Sequence, residues 1–344
     1  MSDLKNDLAE AQKTPDSAAA TGKKGHFRRF WWVYALVFLA VVVVIVVPSV
    51  ILVAIPKVAQ KTVNRSKLTL DGISITQVQS DSLAMSVDTI VETDTSYRAT
   101  LDSFEATLYL ADHDPPLAFA RIQFPQITTA AKLAVNVTQT GPILDVGAFT
   151  KFNQALLSNP TVNLRVKGDS HVHVHGISRA YPVSFDKTMS LKGLNNFDGL
   201  SISDSKINAL ATKNNFNGTV HIFNPSILTL DIGTTTFTNY FNDEVVGQVY
   251  INDLVLYPGN NSFPTTADIK QLPIIDALTM EPFCELNGKL PFILSGTNVV
   301  NNGQAIPYFR DALAASNQSV TIDLGEAAKA VGIPVKCLKV LNNI

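Results

Sequence analysis

The sequence predicts a mainly β protein in which one N-terminal transmembrane helix precedes two antiparallel β-sandwich domains, each with a short helix. Three observations predict this fold class. Residues 30–55 form an apolar run without a charged side chain. From residue 66 onward, apolar and polar residues alternate with the period of two that is typical of half-buried strands. Two similar helical stretches recur in this β-rich region, one in each half.

The apolar run predicts a retained membrane anchor. Residues 30–55 read FWWVYALVFLAVVVVIVVPSVILVAI. At about 1.5 Å per residue, a helix of this length reaches about 39 Å, which exceeds the roughly 30 Å of a hydrocarbon core. A cleaved signal peptide is the alternative, but its apolar stretch is only about 7–15 residues long. We expect Pro48 to kink the helix, because proline removes one helical hydrogen bond.

Aromatic and basic residues at the start of the run indicate its orientation. The aromatic residues expected at headgroup depth are Phe30, Trp31, Trp32 and Tyr34. Four cations lie directly before them in residues 23–29, whereas the cations that follow the run are more widely spaced. We therefore expect residues 1–29 to form a disordered cytosolic tail and the long C-terminal region to lie on the lumenal or external side.

The β-rich region is interpreted as two copies of one unit. Turn residues interrupt its runs about every ten residues, a spacing that favours antiparallel sandwiches over βαβ units. Before the C-terminus, only residues 152–159 and 309–316 have a clear helical pattern; both contain Phe-x-x-Ala-Leu, and both precede a strand. The predicted domains are a first sandwich at residues 56–197 and a second at residues 198–344.

Part of the second copy resembles a known family. Residues 218–233 contain Asn224-Pro225 between two strand-like runs and resemble group-two late-embryogenesis-abundant (LEA) domains, in which a strand ends in Asn-Pro. Residues 256–261 and 302–309 are similar to an uncharacterised fungal family of single-pass membrane proteins with tandem LEA-like domains. The resemblance implies sandwiches of the LEA type with one helix each, a fungal source, a vacuolar membrane with the sandwiches in the lumen, and lipid held between sheet and helix.

Composition restricts the partners and the compartment. Charged residues make up 16% of the chain, and the region beyond the apolar run is weakly acidic. Nucleic acid is excluded as a partner, because binding it requires clustered Lys and Arg. Cys284 and Cys337 are the two cysteines, and they would form a disulfide in an oxidising compartment or remain two buried thiols. Five Asn-X-Ser/Thr sequons are candidate glycosylation sites: Asn64, Asn136, Asn217, Asn260 and Asn317.

Three histidines alternate with valines in the first copy. On a strand, His171, His173 and His175 would project from one face about 6.6 Å apart. A solvated polar face is the favoured interpretation, because polar residues from 163 to 169 continue the same face. The alternatives are a zinc site, which needs further ligands, and a pH-sensitive patch that gains charge in an acidic lumen.

The sequence predicts no enzymatic activity, cofactor or metal, because it contains no phosphate-binding glycine loop, paired-cysteine metal motif or Gly-x-Ser-x-Gly nucleophile motif. Besides the membrane itself, the first expectation is a bound lipid, which would make the chain a lipid-handling protein of the vacuolar membrane, with the plasma membrane or endoplasmic reticulum as alternatives. The second is a structural or regulatory module that contacts another membrane protein. Residues that would line an apolar groove, or else pack in an ordinary core, are Phe152, Leu156, Leu157, Phe309 and Leu313.

Overall fold

The computed structural model describes residues 24–93 and 98–337, so most of the predicted cytosolic tail lies outside the described residues. The chain divides into two compact units, Met1–Ile55 and Pro56–Ile344. The first unit contains the apolar helix, and the second contains the β-rich region. Each is described by itself below.

The N-terminal segment is helical throughout its described length. Helix α1 (Lys24–Ser49) is followed by a π-helical turn (Val50–Ala54) and by α2 (Ile55–Arg65). From Trp31 onward this segment is long and apolar enough to cross a membrane. Pro48 has no N–H to donate to the preceding turn, and the π-helical turn begins two residues after it. The predicted helix is confirmed, and a widened turn follows the proline.

The described residues of the second unit form seventeen strands, four further α-helices and one short 3-10 helix (Asn195–Phe197), so the mainly β fold is confirmed. The strands are β1 (Lys67–Thr76), β2 (Ser82–Glu92), β3 (Ala99–Leu101), β4 (Phe104–Leu110), β5 (Leu117–Phe124), β6 (Ile127–Thr128), β7 (Lys132–Pro142), β8 (Thr161–Val174), β9 (Ala180–Lys192), β10 (Ser201–Ile207), β11 (Phe216–Asn224), β12 (Leu228–Phe241), β13 (Glu244–Leu256), β14 (Gly259–Ile269), β15 (Lys289–Asn301), β16 (Gln304–Ala305) and β17 (Gln318–Asp323). The helices are α3 (Val146–Ser158), α4 (Gln271–Thr279), α5 (Pro307–Ala315) and α6 (Gly325–Ala330).

The first half is a sandwich. Strands β12, β1, β2 and β7 are neighbours in an eleven-stranded sheet, and β5, β4, β8, β3 and β6 form a second sheet in which β9 also pairs with β8. The inner faces are mainly apolar, and burial alternates most clearly in β4, where every second side chain from Phe104 to Leu110 is buried. Helix α3 covers one end of this core, and the side chain of Asp145 caps it by accepting the Ala148 N–H at 2.9 Å.

The second half differs from the predicted sandwich because its strands close into a barrel. The ring runs β12, β13, β14, β11, β10, β17 and β15, and β15 pairs back to β12. Closure is possible because the long strand β12 serves two neighbours on one edge: Leu228–Leu230 pairs with β1, and Thr234–Tyr240 pairs with β15. Gly233 lies between the two pairings with φ 94°, and a Cβ there would approach the Val300 carbonyl to 2.5 Å, so glycine permits the change of partner.

The two halves share one sheet and one packed interface. The pairing of β1 with β12 is parallel, as is that of β10 with β17, which the antiparallel prediction did not include. The predicted boundary at residues 197/198 lies in the connection from β9 to β10, yet the large sheet is continuous across both halves. Helices α3 and α5 also pack together, and a cluster of aromatic rings joins them: Phe119, Phe149, Phe152, Tyr308 and Phe309.

The helices differ in part from the sequence prediction. The stretches at residues 152–159 and 309–316 correspond to α3 and α5, although both helices begin earlier and end one residue earlier than predicted. Helix α4 was missed, because Pro273 and a run of only nine residues give no clear amphipathic period.

Candidate functional site

The juxtamembrane helix α2 is docked on the free edge of β9. The Gln60 Nε2 donates to the Ser184 carbonyl at 2.8 Å, and the Ser184 N–H donates to Gln60 Oε1 at 2.8 Å. The side-chain amide of Gln60 thus satisfies both backbone groups of Ser184 on an edge of β9 that has no neighbouring strand among the described residues. Lys187 Nζ donates to the carbonyls of Asn64 at 2.6 Å and Ser66 at 2.8 Å. We call these contacts the α2 clamp.

The position of Lys187 is favourable for a cation. The last carbonyls of a helix have no partner within the helix, and they carry the negative end of its dipole. Lys187 satisfies one of these groups, the Asn64 carbonyl, and also the carbonyl of Ser66, which lies between α2 and β1. Burial lowers the pKa of its ammonium group below the usual value. The lysine therefore joins three elements, α2, β1 and β9, at one end of the sandwich.

An apolar cavity lies between the two sheets beside this clamp. It encloses about 30 Å³, and all its lining side chains except Thr89 are apolar. Leu68 and Leu70 of β1 and Met189 of β9 line it and are only half buried, unlike the residues deeper in the sandwich. Within the part of the chain that the structure describes, β1 and β9 share no ladder of hydrogen bonds. We call the line between these two strands the β1–β9 seam.

The cavity is closed to a lipid in this conformation. A volume of about 30 Å³ is the share of one water molecule, whereas ligand pockets occupy roughly 300–1,000 Å³. Phe152 lines the cavity, but the other candidate groove residues do not. All five are at most 3% exposed, so the structure places them in the core: Phe152, Leu156, Leu157, Phe309 and Leu313.

The histidine face meets a carboxylate that the sequence did not reveal. His171, His173 and His175 are exposed, at and just beyond the end of β8. His173 Nε2 lies 2.9 Å from Asp102 Oδ2, because the short strand β3 pairs with this end of β8. The hydrogen bond from His173 and, less strongly, one from Gln126 lower the pKa of Asp102 below its usual 3.8. Among the described residues, no group of three or more His, Cys, Asp and Glu could hold a metal ion.

We expect Asp102→Asn to destabilise the protein in a pH-dependent way. Because the folded-state pKa of Asp102 is depressed, its contribution is present above the usual value of 3.8 and is lost as the pH falls through the folded pKa. Urea titrations from pH 7 to pH 2.5 should show the wild-type and variant midpoints converging at the acid end. Asp169→Asn on the same strand face is the control, and a pH-independent difference for Asp102→Asn would contradict the assignment.

The asparagines of the five sequons differ in exposure from a second group of asparagines, which is buried. The five sequon residues, Asn64, Asn136, Asn217, Asn260 and Asn317, are all exposed. Among the asparagines that the structure describes, six are buried and none of these heads a sequon: Asn153, Asn215, Asn224, Asn239, Asn261 and Asn301. Every candidate acceptor is therefore sterically available to a glycan on the folded surface.

The two cysteines are bonded in the structure. Cys284 follows α4, and Cys337 lies beyond α6 with its Cα 5.1 Å from that of Cys284. Cys284 is buried and Cys337 is exposed. The bond ties the segment after α6 to the segment between α4 and β15.

One family model matches this chain. Residues 117–239 match the family described as "Protein of unknown function (DUF3712)", so the expectation of an uncharacterised family is confirmed, while a fungal source and LEA-like domains stay predictions. The match begins with β5 and ends within β12, and it therefore crosses from the sandwich into the barrel. No curated protein matches the chain.

Several solved structures share weak similarity. An ApaA protein from Bordetella pertussis is 12% identical, with 37% of this chain and 93% of that chain covered and a TM-score of 0.22. Red sea bream transglutaminase is 13% identical, with 74% and 31% covered and a TM-score of 0.23. The CupB6 tip adhesin from Pseudomonas aeruginosa is 8% identical, with 75% and 98% covered and a TM-score of 0.21. Such low TM-scores support no inference about fold or function.

Proposed function

We propose that this chain is a membrane-anchored, non-enzymatic protein that handles a lipid acyl chain between the two sheets of its sandwich. The observation that carries the proposal is the apolar cavity at the β1–β9 seam, beside the α2 clamp. Along the chain, the apolar N-terminal helix is followed by α2 and then by β1. The seam is therefore formed in part by the first strand after the proposed anchor. An acyl chain fits the chemistry of the lining, which offers almost no polar group.

Entry of a lipid requires the seam to open. Opening breaks the four hydrogen bonds of the clamp but no strand ladder between β1 and β9. At about 1 kcal/mol net for each bond, the cost is on the order of 4 kcal/mol, which burial of apolar chain against the cavity wall can offset. The half-buried side chains of Leu68, Leu70 and Met189 would then become the first contacts of the acyl chain.

The topology is part of the proposal. We place the N-terminus in the cytosol and residues 56–344 in an oxidising lumen, and the resemblance to fungal LEA-like proteins favours the vacuolar membrane. The exposure of all five sequon asparagines and the Cys284–Cys337 bond support a lumenal environment.

Lipid content tests the lipid-handling proposal. Residues 56–344 form a compact unit and can be secreted from eukaryotic cells without the anchor. We expect solvent extracts of this protein, analysed by mass spectrometry, to contain lipid, and we expect Met189→Glu to lose it because a carboxylate at the seam repels an acyl chain. Leu210→Glu, at a site 96% exposed on another loop, is the matched control and should retain the lipid. A wild-type extract without lipid would refute the proposal.

The small size of the cavity favours a second candidate function. A volume of about 30 Å³ is too small for a ligand in this conformation. The alternative is a module that binds another membrane protein. Leu210 and Leu272 are 96% and 74% exposed, and the loop that carries Leu210 meets the first turn of α4, which carries Leu272, where Gln271 Nε2 donates to the Asn208 carbonyl at 3.2 Å. Exposed apolar residues indicate a contact site when they form one continuous patch, and this alternative requires the two leucines to do so. A lipid-free protein that co-purifies with a membrane protein only when both leucines are present would favour this function.

A further inference from the structure

Two exposed aromatic residues are near one sequon asparagine, one as its partner across a strand pair and one three residues earlier in the chain. Phe223 is 51% exposed and Tyr257 is 59% exposed. Of the Phe, Tyr and Trp side chains that the structure describes beyond α2, these two alone are exposed. Phe223 pairs directly with Asn260 across strands β11 and β14, and Tyr257 precedes Asn260 by three residues. We call Phe223, Tyr257 and Asn260 the aromatic sequon site.

The backbone under this site is held by a buried asparagine. Asn261 Oδ1 accepts the Tyr257 N–H at 2.9 Å, and its Nδ2 donates to the carbonyls of Tyr257 at 2.7 Å and Gly259 at 3.0 Å. Gly259 adopts φ 91°, which brings the chain round into β14. Both hydrogen-bonding groups of the Tyr257 backbone are therefore fixed relative to the residue that follows Asn260.

The strand on the other side is equally constrained. Asn224, next to Phe223, is buried; its Nδ2 donates to the Leu228 carbonyl at 2.8 Å, and its Oδ1 accepts the Ser226 N–H at 2.9 Å. Side chains of directly paired residues lie on one face of a sheet, with Cβ atoms about 4.5–5.5 Å apart. The amide of Asn260 thus extends from the sheet surface beside the Phe223 ring.

The other sequons lack this arrangement. Asn136 pairs with Asp88, and Asn217 pairs with Thr266. Asn64 is at the end of α2, and Asn317 precedes β17. In the described residues, Asn260 is therefore the sequon asparagine with an exposed aromatic ring as its direct strand partner.

We propose that Asn260 carries an N-linked glycan whose first N-acetylglucosamine packs on Phe223 and Tyr257. In the transfer, Nδ2 of Asn260 bonds to the anomeric carbon of a lipid-linked oligosaccharyl diphosphate, the bond from that carbon to the diphosphate breaks, the nitrogen loses a proton, and the lipid diphosphate leaves. The C–H face of a pyranose is apolar and weakly positive, which complements the negative face of an aromatic ring. Because the sugar is covalently attached, it occupies the rings at high effective concentration.

The inference rests on the proposed lumenal topology. In it, the sugar shields the two exposed rings from solvent. Burial of these rings by the sugar occurs only in the folded state, so the glycan should stabilise the fold. The stabilisation should depend on both the glycan and the aromatic rings, because removal of either one abolishes the contact between them.

The test is a thermodynamic cycle on the full-length chain, expressed in eukaryotic cells, purified in detergent and trimmed with endoglycosidase H to one N-acetylglucosamine for each site. Peptide mass spectrometry should show Asn260 occupied. We expect Asn260→Gln to lower the Tm by about 2–4 °C, the shift typical of a modest contact in a domain of this size. Phe223→Ala combined with Tyr257→Ala should lower the Tm similarly in the glycosylated protein and have little further effect in the Asn260→Gln background.

Asn136→Gln removes a sequon without an aromatic neighbour and is the matched control, with no expected change in Tm. Occupied sequons elsewhere with Asn260 unmodified would overturn this inference and leave the topology standing. Equal effects of the aromatic substitutions with and without the glycan would also overturn it, because they would show no coupling between the rings and the sugar. A chain unmodified at all five sequons would overturn the lumenal topology together with this inference.

Discussion

Phe149→Ala is expected to lower the free energy of unfolding by about 3–5 kcal/mol, the range for truncating a fully buried phenylalanine. The Phe149 ring is 0% exposed and lies 4.9 Å from the ring of Tyr308 and 5.8 Å from that of Phe119, measured between centroids. Its removal leaves a cavity between α3 and α5, where the two halves meet. Urea denaturation of the wild-type and variant proteins, followed by tyrosine fluorescence and far-UV circular dichroism, measures the loss.

The same experiment tests whether the halves are coupled. Because Tyr308 also donates its hydroxyl proton to the Gln79 carbonyl at 2.8 Å, it binds α5 to the first half, and burial raises its pKa. We expect one cooperative transition in which sandwich and barrel unfold together. Leu210→Ala, at a side chain 96% exposed, is the control and should change the stability little. Two separate transitions, with only one shifted by Phe149→Ala, would contradict the shared interface.

Loss of the Cys284–Cys337 bond is expected to cost about 4 kcal/mol in the loop-entropy description, given the separation of 53 residues. Cys337→Ser leaves the buried Cys284 in place and is therefore the milder of the two single substitutions. Ile333 and Val335, which pack on the core just before Cys337, should become more mobile when the bond is absent. The melting temperature should fall to a similar extent in the variant and in wild-type protein treated with a reductant.

The redox state must be measured in the same samples. Alkylation with a maleimide before and after reduction should label no thiol and then two thiols. Wild-type protein that labels before reduction would show that the bond is absent from the native chain, and it would count against an oxidising compartment. A reductant that lowers the melting temperature of Cys337→Ser as much as that of the wild type would show that the effect arises elsewhere.

The sequence was sufficient for the local elements and insufficient for the closure of the sheet. The apolar run without charged residues predicted the N-terminal helix, and the alternation of apolar and polar residues predicted strands such as β12. Both patterns can be recognised because they depend only on residues close together in the sequence. The barrel depends on pairs such as Thr236 with Asn298, which are far apart in sequence, and on the change of partner at Gly233. An isolated glycine within a strand pattern indicates a bulge or close approach but does not identify the approaching strand.

The candidate site was predicted only in part for the same reason. The exposed histidine face follows from alternation, but its partner Asp102 is 71 residues from His173. Gln60 is an ordinary polar residue of an amphipathic helix, and its strand partner Ser184 is 124 residues away. The apolar helix residues were recognised, but a pattern of Phe and Leu does not distinguish a core from a groove. Their burial depends on the packing of α3 against α5.

The parallel pairing of β1 with β12 has a consequence for any attempt to divide the chain into two domains. A fragment that ended near residue 197 would lose β12 and leave one edge of β1 unpaired. A fragment that began there would lose α3, whose Phe149 packs on Tyr308 of α5. Neither fragment would therefore keep all the strand and helix partners that it has in the intact chain. The family match at residues 117–239 crosses the same boundary, from the sandwich into the barrel.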